Sequence, residues 1–216
     1  MLRGLRVAAV GISLLGAVSA CSAGAPEEDA GIRAAEVCGG FAHDSAVESA
    51  LAKISGTARF SDNGSEPEKA LATLRAADGK VENSEMDGVP NCLLRPPLGG
   101  EHLVTISVRE AAIILKANPE SEKMYTYYRT GASASSTDRF ASIYFRCRMA
   151  NPEKNFIVNA SLERESRVKL PGKEAADNQM IVANAAAKRV AQQLGCKGTD
   201  LSEGAPEAIS GVYGPN

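Results

Sequence analysis

The chain has 216 residues, 24 basic and 26 acidic side chains, a formal net charge of −2, no tryptophan and 5% aromatic residues. That balance excludes nucleic acid as an expected partner, because phosphate binding needs clustered Lys and Arg, and so few aromatics argue against a sugar-stacking platform. The length suits one domain or two small ones.

Residues 1–6 carry Arg3 and Arg6 and no acid, and residues 7–18 are apolar apart from Gly11, Ser13 and Gly16. The apolar run is shorter than the roughly 20 residues that span a hydrocarbon layer. A basic start, a short apolar middle and small residues at the end predict a secretory leader over 1–20. Val18-Ser19-Ala20-Cys21 resembles the bacterial lipoprotein box. The resemblance implies a diacylglyceryl group on the Cys21 sulfur, cleavage before Cys21, and a place on the outer face of the cell membrane. Two acyl chains hold a protein there where one holds it marginally. Residues 21–32 then form a flexible tether, kept extended by Glu27, Glu28 and Asp29. Losing the leader removes Arg3 and Arg6 and lowers the net charge from −2 to −4.

From 31 to 54, Val37, Phe41, Val47, Leu51 and Ile54 share a broad apolar side, which predicts a helix stopped by Gly56 and weakened in its first turn by Gly39-Gly40. Asp62-Asn63-Gly64 is a turn, and Pro67 between Glu66 and Glu68 opens a second helix over 67–77. The polar stretch 79–91 reads as a loop. Residues 92–95 form a short strand closed by Pro96-Pro97, and 102–109 alternates as a half-buried strand with Val104, Ile106 and Val108 on one side. The apolar run 111–115 fits strand or helix equally. Asn118-Pro119 breaks the chain before the tyrosine-rich strand 124–129, and the run GASASSTD over 131–138 reads as a flexible loop.

Residues 140–149 alternate strongly, with Ala141, Ile143, Phe145, Cys147 and Met149 sharing a face. A hairpin loop over 151–155 leads to a return strand over 156–163. The segment 173–194 is a helix with the core stripe Met180, Ala183, Ala187, Val190 and Leu194, stopped by Gly195. The glycine- and proline-rich stretch 198–216 reads as a flexible tail. These elements make an α+β domain over 33–197: an antiparallel sheet of about four or more strands packed with two or three helices. A cysteine-and-hairpin echo, at 92–109 and at 147–163, allows two pseudo-repeated halves. No fixed period supports it, and two hairpins that each use a cysteine explain it as well.

With Cys21 assigned to lipid, Cys38, Cys92, Cys147 and Cys196 remain. Four cysteines in an exported chain imply two disulfides with three possible connectivities. No C-x-x-C pair points to a thioredoxin-type site or a zinc ribbon. Joining each helix to its nearest hairpin gives Cys38–Cys92 and Cys147–Cys196.

Chemistry is less legible. His43 beside Asp44 reads as a solvated pair on the first helix, and His102 opens a strand next to a Gly-Gly turn. No H-E-x-x-H or calcium-loop motif occurs, nor a G-x-S-x-G elbow after the leader, so no catalytic residue, metal or cofactor is assigned. The carboxylate pairs Glu66/Glu68 and Glu163/Glu165 have the composition a glycosidase needs, but surface solvation accounts for both. From 139 to 173 there are eight basic residues against three acidic ones. Alternation puts Tyr144, Arg146 and Arg148 together on the face of their strand opposite the core. Two guanidiniums beside a tyrosine are suited to holding carboxylates or phosphates bidentately. That makes an anionic envelope polymer, lipid headgroup or membrane-protein partner the expected ligand; an ordinary wet sheet face is the plainer reading.

The lipobox at Cys21, Cys38-Gly39-Gly40, Phe145-Arg146-Cys147 and Leu194-Gly195-Cys196 together resemble the small disulfide-bridged actinobacterial lipoproteins of unknown function. The likeness implies an α+β domain outside the cytoplasmic membrane and imports no catalytic residue. The missing catalytic motifs and the scarcity of histidine favour a non-enzymatic binding or accessory domain at the envelope. The alternative is an envelope hydrolase whose serine or carboxylate site is assembled only by the fold.

Overall fold

The computed structural model of the protein describes residues 31–80, 88–115 and 124–209. The leader, Cys21 and most of the tether lie outside them, as do Asn118-Pro119 and residues 210–216. Seven strands form one antiparallel sheet: β3 (Val89–Leu94), β4 (Val104–Ala111), β5 (Thr126–Arg129), β6 (Ser133–Ser136), β7 (Phe140–Ala150), β8 (Glu153–Arg164) and β9 (Glu207–Ile209). Their spatial order is β3-β4-β8-β7-β6-β5-β9, and β1 (Ile32–Arg33) pairs separately with β2 (Arg59–Phe60). Three α-helices, α1 (Ser45–Ser55), α2 (Pro67–Ala76) and α3 (Gly172–Leu194), complete the α+β domain.

Period-two alternation gives the sheet one apolar face. Ala141, Ile143, Phe145 and Cys147 of β7 are fully buried, and Val158, Ala160 and Leu162 of β8 join them from the neighbouring strand. The 23-residue α3 lies against this face, over β5 to β8, with α1 packed on α3 and α2 over β3 and β4. Alanine dominates the buried surface of α3: Ala175, Ala176, Ala183, Ala186, Ala187 and Ala191. It is the best helix former and the smallest side chain that keeps helical propensity, so the axis approaches both the sheet and α1 closely. The stripe Met180, Ala183, Ala187, Val190 and Leu194 is buried as expected, and Gly195 ends the helix at φ 72°.

Both disulfides connect as expected. Cys38–Cys92 ties the segment before α1 to β3, and Cys147–Cys196 ties β7 to the residue after the α3 cap. Sequence separations of 54 and 49 residues correspond to about 4 kcal/mol each in the chain-entropy model.

Four expectations are corrected. The first helix does not run from 31. Residues 34–39 form a 3-10 segment, and Cys38, Gly39 and Gly40 all have positive φ (48°, 78° and 76°), which an α-helix cannot accommodate. The helix restarts at Ser45, where the Asp44 carboxylate accepts the Ala46 N–H at 2.8 Å. His43 and Asp44 are therefore a pre-helix residue and an N-cap, not a pair on a helix.

The serine-rich run 131–138 contains β6, because the open edge of β7 pairs with it from Ser133↔Tyr144 to Ser136↔Ala141. Tertiary pairing overrides weak strand propensity here. The β7–β8 loop is only Asn151-Pro152, since Ala150 already pairs with Glu153.

The stretch 199–209, expected to be a flexible tail, is tied down. Asp200 O accepts the Gly131 N–H at 2.8 Å, and β9 pairs with β5 from Tyr127↔Ile209 to Arg129↔Glu207. No described helix is long and apolar enough to cross a membrane.

Candidate functional site

Strand β7 places Arg146 and Arg148 on the sheet face away from the helices, opposite Ile157 and Asn155 of β8. Both side chains are exposed, and neither makes a hydrogen bond or ion pair among the described residues. Tyr144 shares their face but is only 6% exposed, between Ser133 of β6 and Asn159 of β8. The accessible part of the anticipated surface thus reduces to the two arginines.

Behind Tyr144 the same face becomes a buried polar layer. Arg109 Nε donates to Asn159 Oδ1 at 3.3 Å, Asn159 Nδ2 donates to Ser142 Oγ at 2.8 Å, and Ser133 Oγ donates to Leu115 O at 2.6 Å. These groups satisfy one another, as buried polar atoms must.

Arg164, counted in the basic stretch, is structural. It is buried, with Nε donating to Asp138 O at 3.1 Å and Nη1 to Val168 O at 2.9 Å. Desolvation, and secondarily the nearby Arg139, lowers its pKa below the usual arginine value.

The histidines lie apart. Arg95 Nη2 donates to His102 Nε2 at 2.6 Å, and the other ring nitrogen faces Glu165 Oε1 at 3.8 Å. Glu165 also accepts from Thr105 Oγ1 at 3.1 Å, so it belongs to this surface cluster. Glu66 pairs with Lys69 at 2.9 Å in the first turn of α2. His43 holds Gly40 O through Nδ1 at 3.0 Å. Neither ring is hydrogen-bonded to a serine hydroxyl among the described residues, and those residues contain no cluster of three metal-ligating side chains.

Sequence reasoning missed a cleft of 450 Å³ between the start of α1, the outer side of α3 and residues 203–205. Phe41, Val47, Ile181 and Ala185 give it an apolar wall, and His43, Asp44, Lys188, Arg189 and Glu203 supply its charged and titratable groups. Its third side exists only because the C-terminal arm is pinned. Asn184, 3% exposed, donates to Ser202 O at 2.8 Å and accepts from Thr130 Oγ1 at 2.6 Å, while Lys188 is paired with Glu203. No serine is among the described residues lining the cleft. The one local signal was His43-Asp44; the other walls come from segments about 140 and 160 residues further along, which no local pattern connects.

Comparison with protein-family models, with curated proteins and with solved structures finds no match for this chain.

Proposed function

We propose that the chain is an extracytoplasmic lipoprotein, anchored through Cys21, that acts as a non-enzymatic binding domain presenting Arg146 and Arg148 to an anionic polymer of the cell envelope. The observation that carries the binding role is the pair of exposed guanidiniums two residues apart on one strand face, without a partner among the described residues. Same-face neighbours on a strand lie about 7 Å apart, and each guanidinium offers a fork of donors that matches carboxylate or phosphate. On a sheet held by two disulfides, both heads start from a rigid backbone. Disulfides persist in oxidising compartments, which supports the extracytoplasmic address. The lipobox resemblance supports the anchor.

The test is an Arg146→Ala/Arg148→Ala double variant, assayed for retention on purified cell wall and on vesicles with and without anionic lipid. Exposed substitutions of this kind change stability by about 0.5 kcal/mol or less, so the fold survives. Retention on wall should fall at least about tenfold and be salt-sensitive in the parent protein. Loss on anionic vesicles but not on wall would reassign the surface to lipid headgroups. Unchanged retention on both removes the arginine face.

A further inference from the structure

On the helix side of the molecule, opposite the arginine face, the 450 Å³ cleft holds one guanidinium with no hydrogen-bond or ion-pair partner among the described residues. Neither of its two acids is paired with that guanidinium: Asp44 caps α1 through the Ala46 N–H, and Glu203 is paired with Lys188. Asn184 uses both ends of its amide on Thr130 and the C-terminal arm. Arg189 is left. It is half-buried, and its Nε is shielded from solvent with no acceptor. Its guanidinium makes no hydrogen bond or ion pair among the described residues. Buried polar groups in folded proteins are paired, and an exception calls for a water, an ion or a ligand.

The cleft that Arg189 shares also has an apolar lining: Ile181 and Ala185 precede it on α3, and Phe41 and Val47 come from the α1 side. A concave site of about 300–1,000 Å³, mostly apolar with a few directed polar groups, is the general form of a small-molecule pocket. A bare inorganic anion would leave the apolar wall wet, and a neutral apolar molecule would leave Arg189 unpaired. We propose that the cleft binds a small anionic amphiphile, its acid group on the Arg189 guanidinium and its apolar body against Phe41, Val47 and Ile181. The arm that closes the third side is held by Asn184 and by the Lys188–Glu203 pair, so the site depends on the docked C-terminal segment. The inference is independent of the lipid anchor and of the arginine face.

The probe is octyl phosphate, titrated against the disulfide-bonded chain from residue 22 and read by backbone amide shifts and by displacement of 1-anilinonaphthalene-8-sulfonate. Saturable binding should shift the amides of Ala46, Ile181 and Ala185. Octanol and octylamine should bind at least about tenfold more weakly, because only the phosphate can take both guanidinium donors. Arg189→Gln should lower octyl phosphate affinity at least about tenfold and leave octanol unchanged. Ala185→Leu, which narrows the apolar wall, should weaken both. The Arg146→Ala/Arg148→Ala variant should bind octyl phosphate like the parent, which separates this site from the sheet face. If Arg189→Gln fails to fold, Arg189→Lys keeps the charge but loses the fork and should give an intermediate affinity. Undiminished binding by Arg189→Gln overturns the proposal. So do shifts confined to other parts of the domain, or no saturable binding up to millimolar octyl phosphate.

Discussion

Asn184 of α3 and Tyr128 of β5 show how much of this structure rests on polar side chains between the helix layer and the sheet. The Asn184 amide joins α3 to the C-terminal arm and to Thr130, whose hydroxyl also accepts the Ser202 N–H at 3.0 Å. Asn184→Ala orphans both sides of that junction and should cost about 1–3 kcal/mol in urea unfolding. Amide exchange at 202–209 should accelerate more than exchange in β7.

Tyr128, 2% exposed, donates its hydroxyl to Asp177 Oδ1 at 2.7 Å. Burial first, then Asp177, raises the phenol's pKa above its usual value. The native state therefore keeps a proton that the unfolded chain releases above about pH 10. This contribution is complete below pH 10 and declines as the solution becomes more alkaline. Tyr128→Phe should cost about 1–2 kcal/mol at pH 7 and should flatten the loss of stability between pH 9 and 11, as followed by denaturant titration. Such residues were invisible in the sequence because a polar side chain at a helix or strand position reads as solvent-facing. Asn184 falls outside the apolar stripe of its helix, and Asn159 alternates with the apolar residues of its strand, yet each is only 3% exposed.

At the scale of elements, legibility followed pattern length. The alternation of 140–149 and the stripe of 173–194 ran far enough for one face to be unambiguous, and both elements fall where the pattern put them. Short or pairing-dependent elements were lost. Ser133–Ser136 has no strand propensity of its own and exists through β7, and Glu207–Ile209 exists through β5. The break before α1 was half legible. Gly39-Gly40 weakened the expected helix, but the positive φ of Cys38 follows from nothing local.

The restart at Asp44 gives a direct check. Asp44→Ala removes the N-cap acceptor and should destabilise the domain by about 1 kcal/mol, read as a lower urea midpoint with an unchanged slope. A helix continuous from 31, by contrast, would make Asp44 an interior residue with little effect. The same substitution reshapes one end of the cleft, which the sequence could not show because the facing walls arrive only with α3 and the arm.

For the whole molecule, one core spans the three α-helices and strands β3 to β8, and each disulfide closes a separate loop between the helix layer and the sheet. Three of the four cysteines lie in a strand or just past a helix end, whereas Cys38 pairs with Cys92 as expected although the helix expected around it starts only at Ser45. Removing one bridge, as Cys147→Ala/Cys196→Ala, should cost about 2–4 kcal/mol and lower the thermal midpoint by roughly 4 °C or more for a domain of this size, seen by calorimetry.

The central claim is that this body is an oxidised domain held outside the cell by lipid on Cys21. Peptide mass mapping of native protein from the membrane fraction, without reduction, tests it in one measurement. The account predicts an N-terminal peptide that begins at Cys21 with a diacylglyceryl mass, together with linked Cys38–Cys92 and Cys147–Cys196 peptides. A retained leader with an unmodified Cys21 thiol, or free thiols at the other four cysteines, would contradict it.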